Sequence, residues 1–124
     1  MLPAIGQGII AVQCRKKDNF IKEIRRVSNK HNCVLIFDEI TSGFRLNSSG
    51  AYKLLGVIPD IVVYGKTIAN GIPMGAIVGK KRIMENSLKT FISSVFWSEK
   101  MGPACALTFI KKHKKLKVSK KLIL

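Results

Sequence analysis

An α/β fold, a mostly parallel sheet with covering helices, is predicted by three observations. The run CVLIFDEI (residues 33–40) is continuously apolar and then ends in two carboxylates, the pattern of a strand buried on both faces. A second short apolar run, IVVY (residues 61–64), follows a Pro-Asp pair. Around and between these runs, apolar residues recur at helical spacing, and alternation of helix with strand is the signature of a sheet covered by helices.

The elements follow in order. Residues 18–31 place Phe20, Ile21, Ile24 and Val27 at helical spacing among Lys, Glu and Arg, with Asp18 or Asn19 as N-cap. The strand CVLIFDEI comes next, and TSGFRLNSSG reads as a loop. Residues 51–55 predict a short helix closed by Gly56, and residues 61–64 a second strand. Residues 66–73 are loop, 75–78 a third strand and 82–87 a helix. Residues 93–97 read as a further strand end, and 102–115 as a helix whose exposed side becomes lysine. No internal repeat is seen.

At 124 residues the chain has room for one domain, and 47% hydrophobic residues supply a core. The formal charge of +15 is uneven, because seven lysines lie between Lys111 and Lys121. That tail has no aromatics for base stacking and reads as a solvated helix end, with non-specific attraction to polyanions expected from charge alone. Cys14, Cys33 and Cys105 are odd in number and far apart, with no C-x-x-C, and His31 and His113 lie in Lys/Asn-rich surroundings. This argues against a disulfide framework or a zinc site, and reduced thiols in a cytoplasmic compartment are the better reading. The apolar stretch at residues 9–12 has no basic residue ahead of it, so neither a signal peptide nor a membrane span is expected.

The stretch VVYGKTIANG (residues 62–71) carries the chemistry. A lysine between glycine and threonine after a strand serves either a phosphate-cradling loop or a Schiff base. The phosphate loop requires G-x-x-x-x-G-K-[ST], but Asp60 stands where the first glycine belongs, and the carboxylate strand precedes the loop instead of following it. A Schiff base fits better. A pyridoxal-type cofactor needs a carboxylate beside its pyridine nitrogen, and Asp38 ends an apolar strand where α/β sheets bind ligands. Ile40 shares a face with Asp38 if the extended geometry persists, and is then placed to press on the ring. Lys66 reaches the aldehyde from the neighbouring strand's end, made nucleophilic by a partly apolar pocket. Gly65, Gly71 and Gly75 let the backbone bend closely around the ring. The residues alone leave a second reading equally open: a solvated loop lysine and a strand-end carboxylate that caps a helix.

From about residue 19 onward the chain resembles class III pyridoxal-phosphate aminotransferases, with a leaning to the glutamate-1-semialdehyde 2,1-aminomutase branch. The resemblance rests on LIFDEITSGFR, LLGVIPDIVVYGKTIANGIPMGAIVGKKRIM and FWSEKMGPACAL, in that order. It implies an incomplete slice of a fold-type-I PLP-transferase large domain, with pyridoxal 5'-phosphate as cofactor. It implies that Lys66 is the catalytic lysine and covalent anchor, that Asp38 pairs with the pyridine nitrogen, and that Ile40 packs on the ring. It also implies small-molecule amino donors and acceptors and a homodimer. The family's threonine that reaches the neighbouring subunit's cofactor phosphate falls at Val95, which has no hydroxyl. The family's phosphate-binding loop, its ring-stacking aromatic and its small C-terminal domain fall outside the matching residues. The expectation is therefore low solubility and little or no transaminase activity for this chain alone. Residues 1–18, with LPAIGQGIIAVQCR, resemble a segment of hydroxymethylbilane synthase (porphobilinogen deaminase), which predicts a fusion of two gene fragments. Cys14 does not match that family's cofactor-bearing cysteine.

Other residues have plainer expectations. Glu39 faces away from Asp38 and reads as structural. Arg45 reads as a partner in a fold-stabilising ion pair, with a substrate carboxylate as the alternative. Phe96 and Trp97 read as core or interface packing. Two rival classes remain: a non-catalytic remnant, and a basic module acting through its lysine tail.

Overall fold

The computed structural model describes residues 19–122. The resemblance of residues 1–18 to hydroxymethylbilane synthase, and Cys14 with it, lies outside the described residues. Helix α1 (Phe20–Lys30) leads to strand β1 (Ile36–Asp38), helix α2 (Tyr52–Leu55), strand β2 (Ile61–Tyr64) and strand β3 (Ala76–Gly79). Helix α3 (Lys81–Met84) runs into a 3-10 turn (Glu85–Lys89), followed by α4 (Met101–Leu116) and α5 (Val118–Leu122).

The sheet has the order β1-β2-β3. β1 and β2 are parallel, with Ile36, Phe37 and Asp38 opposite Ile61, Val62 and Val63. β3 is antiparallel to β2, with Tyr64 opposite Ala76 and Ile61 opposite Gly79. One of the two pairings is therefore not the parallel one expected. A parallel return needs a crossover of about a dozen residues or more, usually a helix. Residues 65–75 are too few and too rich in turns for one.

Side chains alternate across the sheet. Phe37, Val62 and Tyr64 point to the face that carries the core. There Phe44, Val62, Tyr64, Ile68 and Ala106 are buried together, with Phe109 and Ile110 of α4 packed against them. The Phe44 ring meets Tyr64 at 5.3 Å and Phe109 edge-on at 5.3 Å. Phe44 has a left-handed backbone, φ 62°. Its N–H donates to the Ser49 carbonyl at 2.7 Å, and its own carbonyl accepts from His113 Nε2 at 2.7 Å. His113 thereby pins α4 to the loop after β1, with its ring buried against Phe44 and Phe109. The opposite face of the sheet is open: Ile36 and Ile77 are 54% and 61% exposed.

The crossover from β1 to β2 is held by Asp60. Its Oδ2 accepts from Arg25 Nη1 at 2.8 Å and from the Leu35 N–H at 2.9 Å, and its Oδ1 accepts from Lys80 at 2.7 Å. Helix α1, the entry to β1, the entry to β2 and the exit of β3 thus converge on one buried carboxylate. Burial alone would raise its pKa, but Lys80, the Leu35 amide and Arg25 together outweigh that and hold it well below the usual carboxylate range.

Two expected elements differ. β1 is shorter than the run CVLIFDEI, because pairing with β2 begins only at Ile36. Residues 93–97 form no strand: 95–97 lie in a turn and pair with neither edge of the described sheet. No helix among the described residues is long and apolar enough to cross a membrane.

Candidate active site

The carboxyl ends of the parallel strands β1 and β2 lie side by side. Asp38 is opposite Val63, and the Glu39 N–H continues the ladder to the Val63 carbonyl at 2.8 Å. The chains then part. After β1, Ile40 opens a turn in which the Gly43 N–H reaches the Glu39 carbonyl at 2.8 Å. After β2, Gly65 and Lys66 open another, in which the Lys66 carbonyl accepts from the N–H groups of Ala69 and Asn70.

One side-chain bond joins the two turns. Lys66 Nζ donates to Thr41 Oγ1 at 2.7 Å. Asp38 is exposed, on the open face it shares with Val63 and Ile77. Its Oδ1 accepts from the Ile40 N–H at 2.9 Å, and its Oδ2 has no hydrogen-bond partner among the described residues. Ile40 is half-buried against Gly65, where a Cβ would stand 3.3 Å from Ile40 Cγ2. The three residues singled out in the sequence, Asp38, Ile40 and Lys66, are therefore gathered at one edge of the sheet.

Two details depart from expectation. The extended geometry ends at Glu39, so Ile40 is placed by the turn and by the space over Gly65 rather than by strand alternation. Lys66 is exposed, not in an apolar pocket. It also has a left-handed backbone, φ 43°, the conformation that crowds Cβ against the following carbonyl. Non-glycine residues held this way cluster at functional sites, where surrounding bonds overdetermine them. The consequence is measurable by urea unfolding. A Lys66→Gly chain is expected to be more stable than Lys66→Ala by about 1 kcal/mol, because glycine has no Cβ to crowd. Equal stability would mean the backbone is relaxed there.

Behind the site, Glu39 is 2% exposed and fully engaged. It accepts from the Ser42 hydroxyl and, through Oε1, from the Tyr52 N–H at 3.0 Å. Ser49 Oγ links the hydroxyls of Tyr52 and Tyr64, at 3.0 Å and 3.4 Å. Burial pushes the Tyr64 phenol up to about 12, so it stays a neutral hydrogen-bonding group. This network fixes the turn that carries Thr41, and it gives Glu39 the structural role expected of it.

Arg45 is exposed and makes no ion pair among the described residues, so the expected fold-stabilising partner is not found. Phe96 and Trp97 are not core: they are 51% and 68% exposed. With Ile72, Pro73 and Met74 they line an open apolar pocket of about 750 Å³. Val95 is 91% exposed. Cys33 and Cys105 are free thiols. No three His, Cys, Asp or Glu side chains among the described residues gather as metal ligands. Asp60 and His113 were missed as organising residues. The signal for His113 was present: it lies four residues after Phe109, on the same helix face.

Comparison with known proteins accounts for this arrangement. The sequence profile of the family described as aminotransferase class-III matches residues 8–120, beginning inside the N-terminal segment. A 3-aminobutyryl-CoA aminotransferase of Cloacimonas acidaminovorans is 42% identical over 95 residues, covering 76% of this chain and 23% of the relative. A glutamate-1-semialdehyde 2,1-aminomutase of Cytophaga hutchinsonii is 50% identical over 70 residues, covering 56% of this chain and 16% of the relative. Among solved structures, an omega-transaminase from Sphaerobacter thermophilus superposes with a TM-score of 0.68 at 29% identity, over 76% of this chain and 23% of that one. The PLP internal aldimine form of the FumI protein of Sphingopyxis sp. MTA144 gives 0.73 at 25% identity, over 77% and 23%. The chain thus spans no more than about a quarter of these relatives, and its fold is a portion of the fold-type-I PLP-transferase large domain. The chain belongs to the class III aminotransferase family, whose members depend on pyridoxal phosphate.

Proposed function

We propose that this chain carries the cofactor-holding half-site of a class III aminotransferase or aminomutase, acting on small-molecule amino donors and acceptors. The observation that carries the reading is the meeting of Lys66 and Thr41 at 2.7 Å, at the sheet edge where Asp38 keeps one carboxylate oxygen without a protein partner. An amine, a carboxylate with an open oxygen and a half-buried aliphatic side chain are the groups that the aldehyde, pyridine nitrogen and ring face of pyridoxal phosphate require. The residues fit the cofactor at that end of the molecule.

In this reading Lys66 would hold the cofactor, with Asp38 as the partner of its ring nitrogen and Ile40 as the apolar support of its ring. When bound, the cofactor supplies an electron sink for bonds at the substrate carbon next to nitrogen. Thr41 Oγ1 accepts a hydrogen bond from Nζ and so orients it, and the Lys66 amine would hold and move a proton at that carbon. Asp38 would favour a proton on the ring nitrogen. The homodimer implied by the resemblance belongs to the same proposal. There Val95 contributes shape but no hydroxyl to a partner's phosphate. Low solubility and little or no turnover are expected of this chain alone: Ile36 and Ile77 leave an apolar sheet face exposed, which favours association.

Reductive trapping tests the half-site. The purified chain is incubated with pyridoxal phosphate and borohydride, and the adduct is located by peptide mass spectrometry. A single pyridoxyl mass on Lys66 is expected, though the chain has 17 lysines in all. Adducts scattered over the exposed lysines of α4 and α5, or none, would sink the reading.

A further inference from the structure

The strongest charge on the molecule lies on its last two helices. Helix α4 ends with Lys111, Lys112, Lys114 and Lys115, all exposed. On a helical projection these four occupy an arc of about 160°. Ala106, Phe109, Ile110 and His113 occupy the remaining side, in an arc of about 100° turned to the core. The chain then breaks at Lys117, whose left-handed φ of 50° ends α4 and starts α5, which adds exposed Lys120 and Lys121. No Asp or Glu follows Glu99 in the sequence. Among the described residues none of these lysines makes a salt bridge.

Such a face carries a cost. Lys111 with Lys114 and Lys115, and Lys112 with Lys115, are like charges at spacings of three and four, each pair destabilising a helix by about 0.2–0.5 kcal/mol. The negative end of the α4 dipole offsets only part of this. A dense array of negative charge laid along the face would remove the repulsion.

We propose that the lysine face of α4 and α5 binds the phosphate backbone of nucleic acid without sequence selection. Two features choose this partner over an anionic membrane. An interfacial helix must bury its apolar side in lipid, but the apolar side of α4 is already buried against Phe44 and Val62. The exposed Leu107, Leu116 and Leu122 are separated side chains that form no continuous apolar stripe, too little apolar area to anchor a helix. Absence of sequence selection follows from the lack of any Phe, Tyr or Trp after Phe109, which leaves nothing to stack on bases. The inference does not depend on the cofactor reading.

Fluorescence anisotropy of the full chain with a labelled duplex of about 20 base pairs, titrated at several salt concentrations, tests it. Each phosphate neutralised contributes about −0.9 to the slope of log K against log salt, so contact by four to six lysines predicts a slope of about −4 to −5. Replacing Lys111, Lys112, Lys114 and Lys115 together by Gln is expected to make the slope shallower by about 3.6 and to weaken binding at low salt at least about tenfold. A control with Lys22, Lys30 and Lys53, which are exposed elsewhere, changed to Gln should keep most of the slope. Circular dichroism confirms that both variants fold, and the duplex should raise the thermal midpoint of the parent chain. No binding at low salt, an unchanged slope in the α4 variant, or an equal loss in the control would overturn the proposal. So would tighter binding to phosphatidylserine-containing vesicles than to the duplex, or strong preference for one duplex sequence.

Discussion

Asp60→Asn is expected to lower the stability of the chain by about 3 kcal/mol, the scale found when one partner of a buried charge pair is removed. Asp60 is 5% exposed, and its two oxygens serve Arg25, Lys80 and the Leu35 amide at 2.7–2.9 Å. Asparagine keeps the shape but turns an NH₂ donor toward a cation. Arg25 suffers most, because its side chain is only 16% exposed, whereas Lys80 at 49% recovers water. The four chain segments that meet at Asp60 lose their common tie, so loss of α1 docking and of β1–β2 register should appear together. Urea unfolding followed by far-UV circular dichroism would show it, with a thermal midpoint lower by more than about 10 °C. A change below about 1 kcal/mol would mean that the convergence at Asp60 does not hold the segments.

The same residue makes stability depend on pH in a predictable direction. The folded pKa of Asp60 is depressed below its ordinary value of 3.8, so the unfolded chain takes up the proton first. The stability it contributes is fully present above that value and falls away as pH drops below it. The Asn variant should lack this acid-side loss, and the two chains should converge in stability toward acid.

The elements legible in the sequence were those fixed by local chemistry. β2 falls at Ile61–Tyr64 as the apolar run predicts, and α2 ends at Gly56, which takes the left-handed C-cap at φ 66°. The nearness of Lys66 to Asp38 was legible because the parallel direction of β1 and β2 puts their carboxyl ends side by side. What was not legible depends on partners distant in sequence. Asp60 looks like a strand-opening turn residue until Arg25 and Lys80, thirty-five and twenty residues away, are brought to it. Ile40 leaves the strand one residue early because Glu39 is claimed by Ser42 and Tyr52, a constraint no periodicity encodes. Phe96 and Trp97 have the composition of core residues, but nothing among the described residues covers them.

Asp38→Asn separates the two roles that the residues alone left open. If Asp38 only caps the turn after β1, asparagine serves as well, since its Oδ1 can still accept the Ile40 N–H and Asn and Asp are about equal as caps. Stability would then be unchanged, and so would trapping of pyridoxal phosphate on Lys66. If Oδ2 instead faces a protonated ring nitrogen, asparagine presents an amide in place of a carboxylate and a charge-assisted hydrogen bond is lost. Such bonds contribute about 2 kcal/mol, which is roughly a thirty-fold rise in the cofactor concentration needed for half-maximal trapping. The expected result is that rise, with unaltered urea unfolding and the adduct still confined to Lys66. Asp38→Glu should recover little of the loss, because one added methylene moves the carboxylate off the line of the ring nitrogen while Ile40 holds the ring in place. Equal half-saturation for Asp38→Asn and the parent would assign Asp38 to the turn alone, and Lys66 would then need another carboxylate to complete a site.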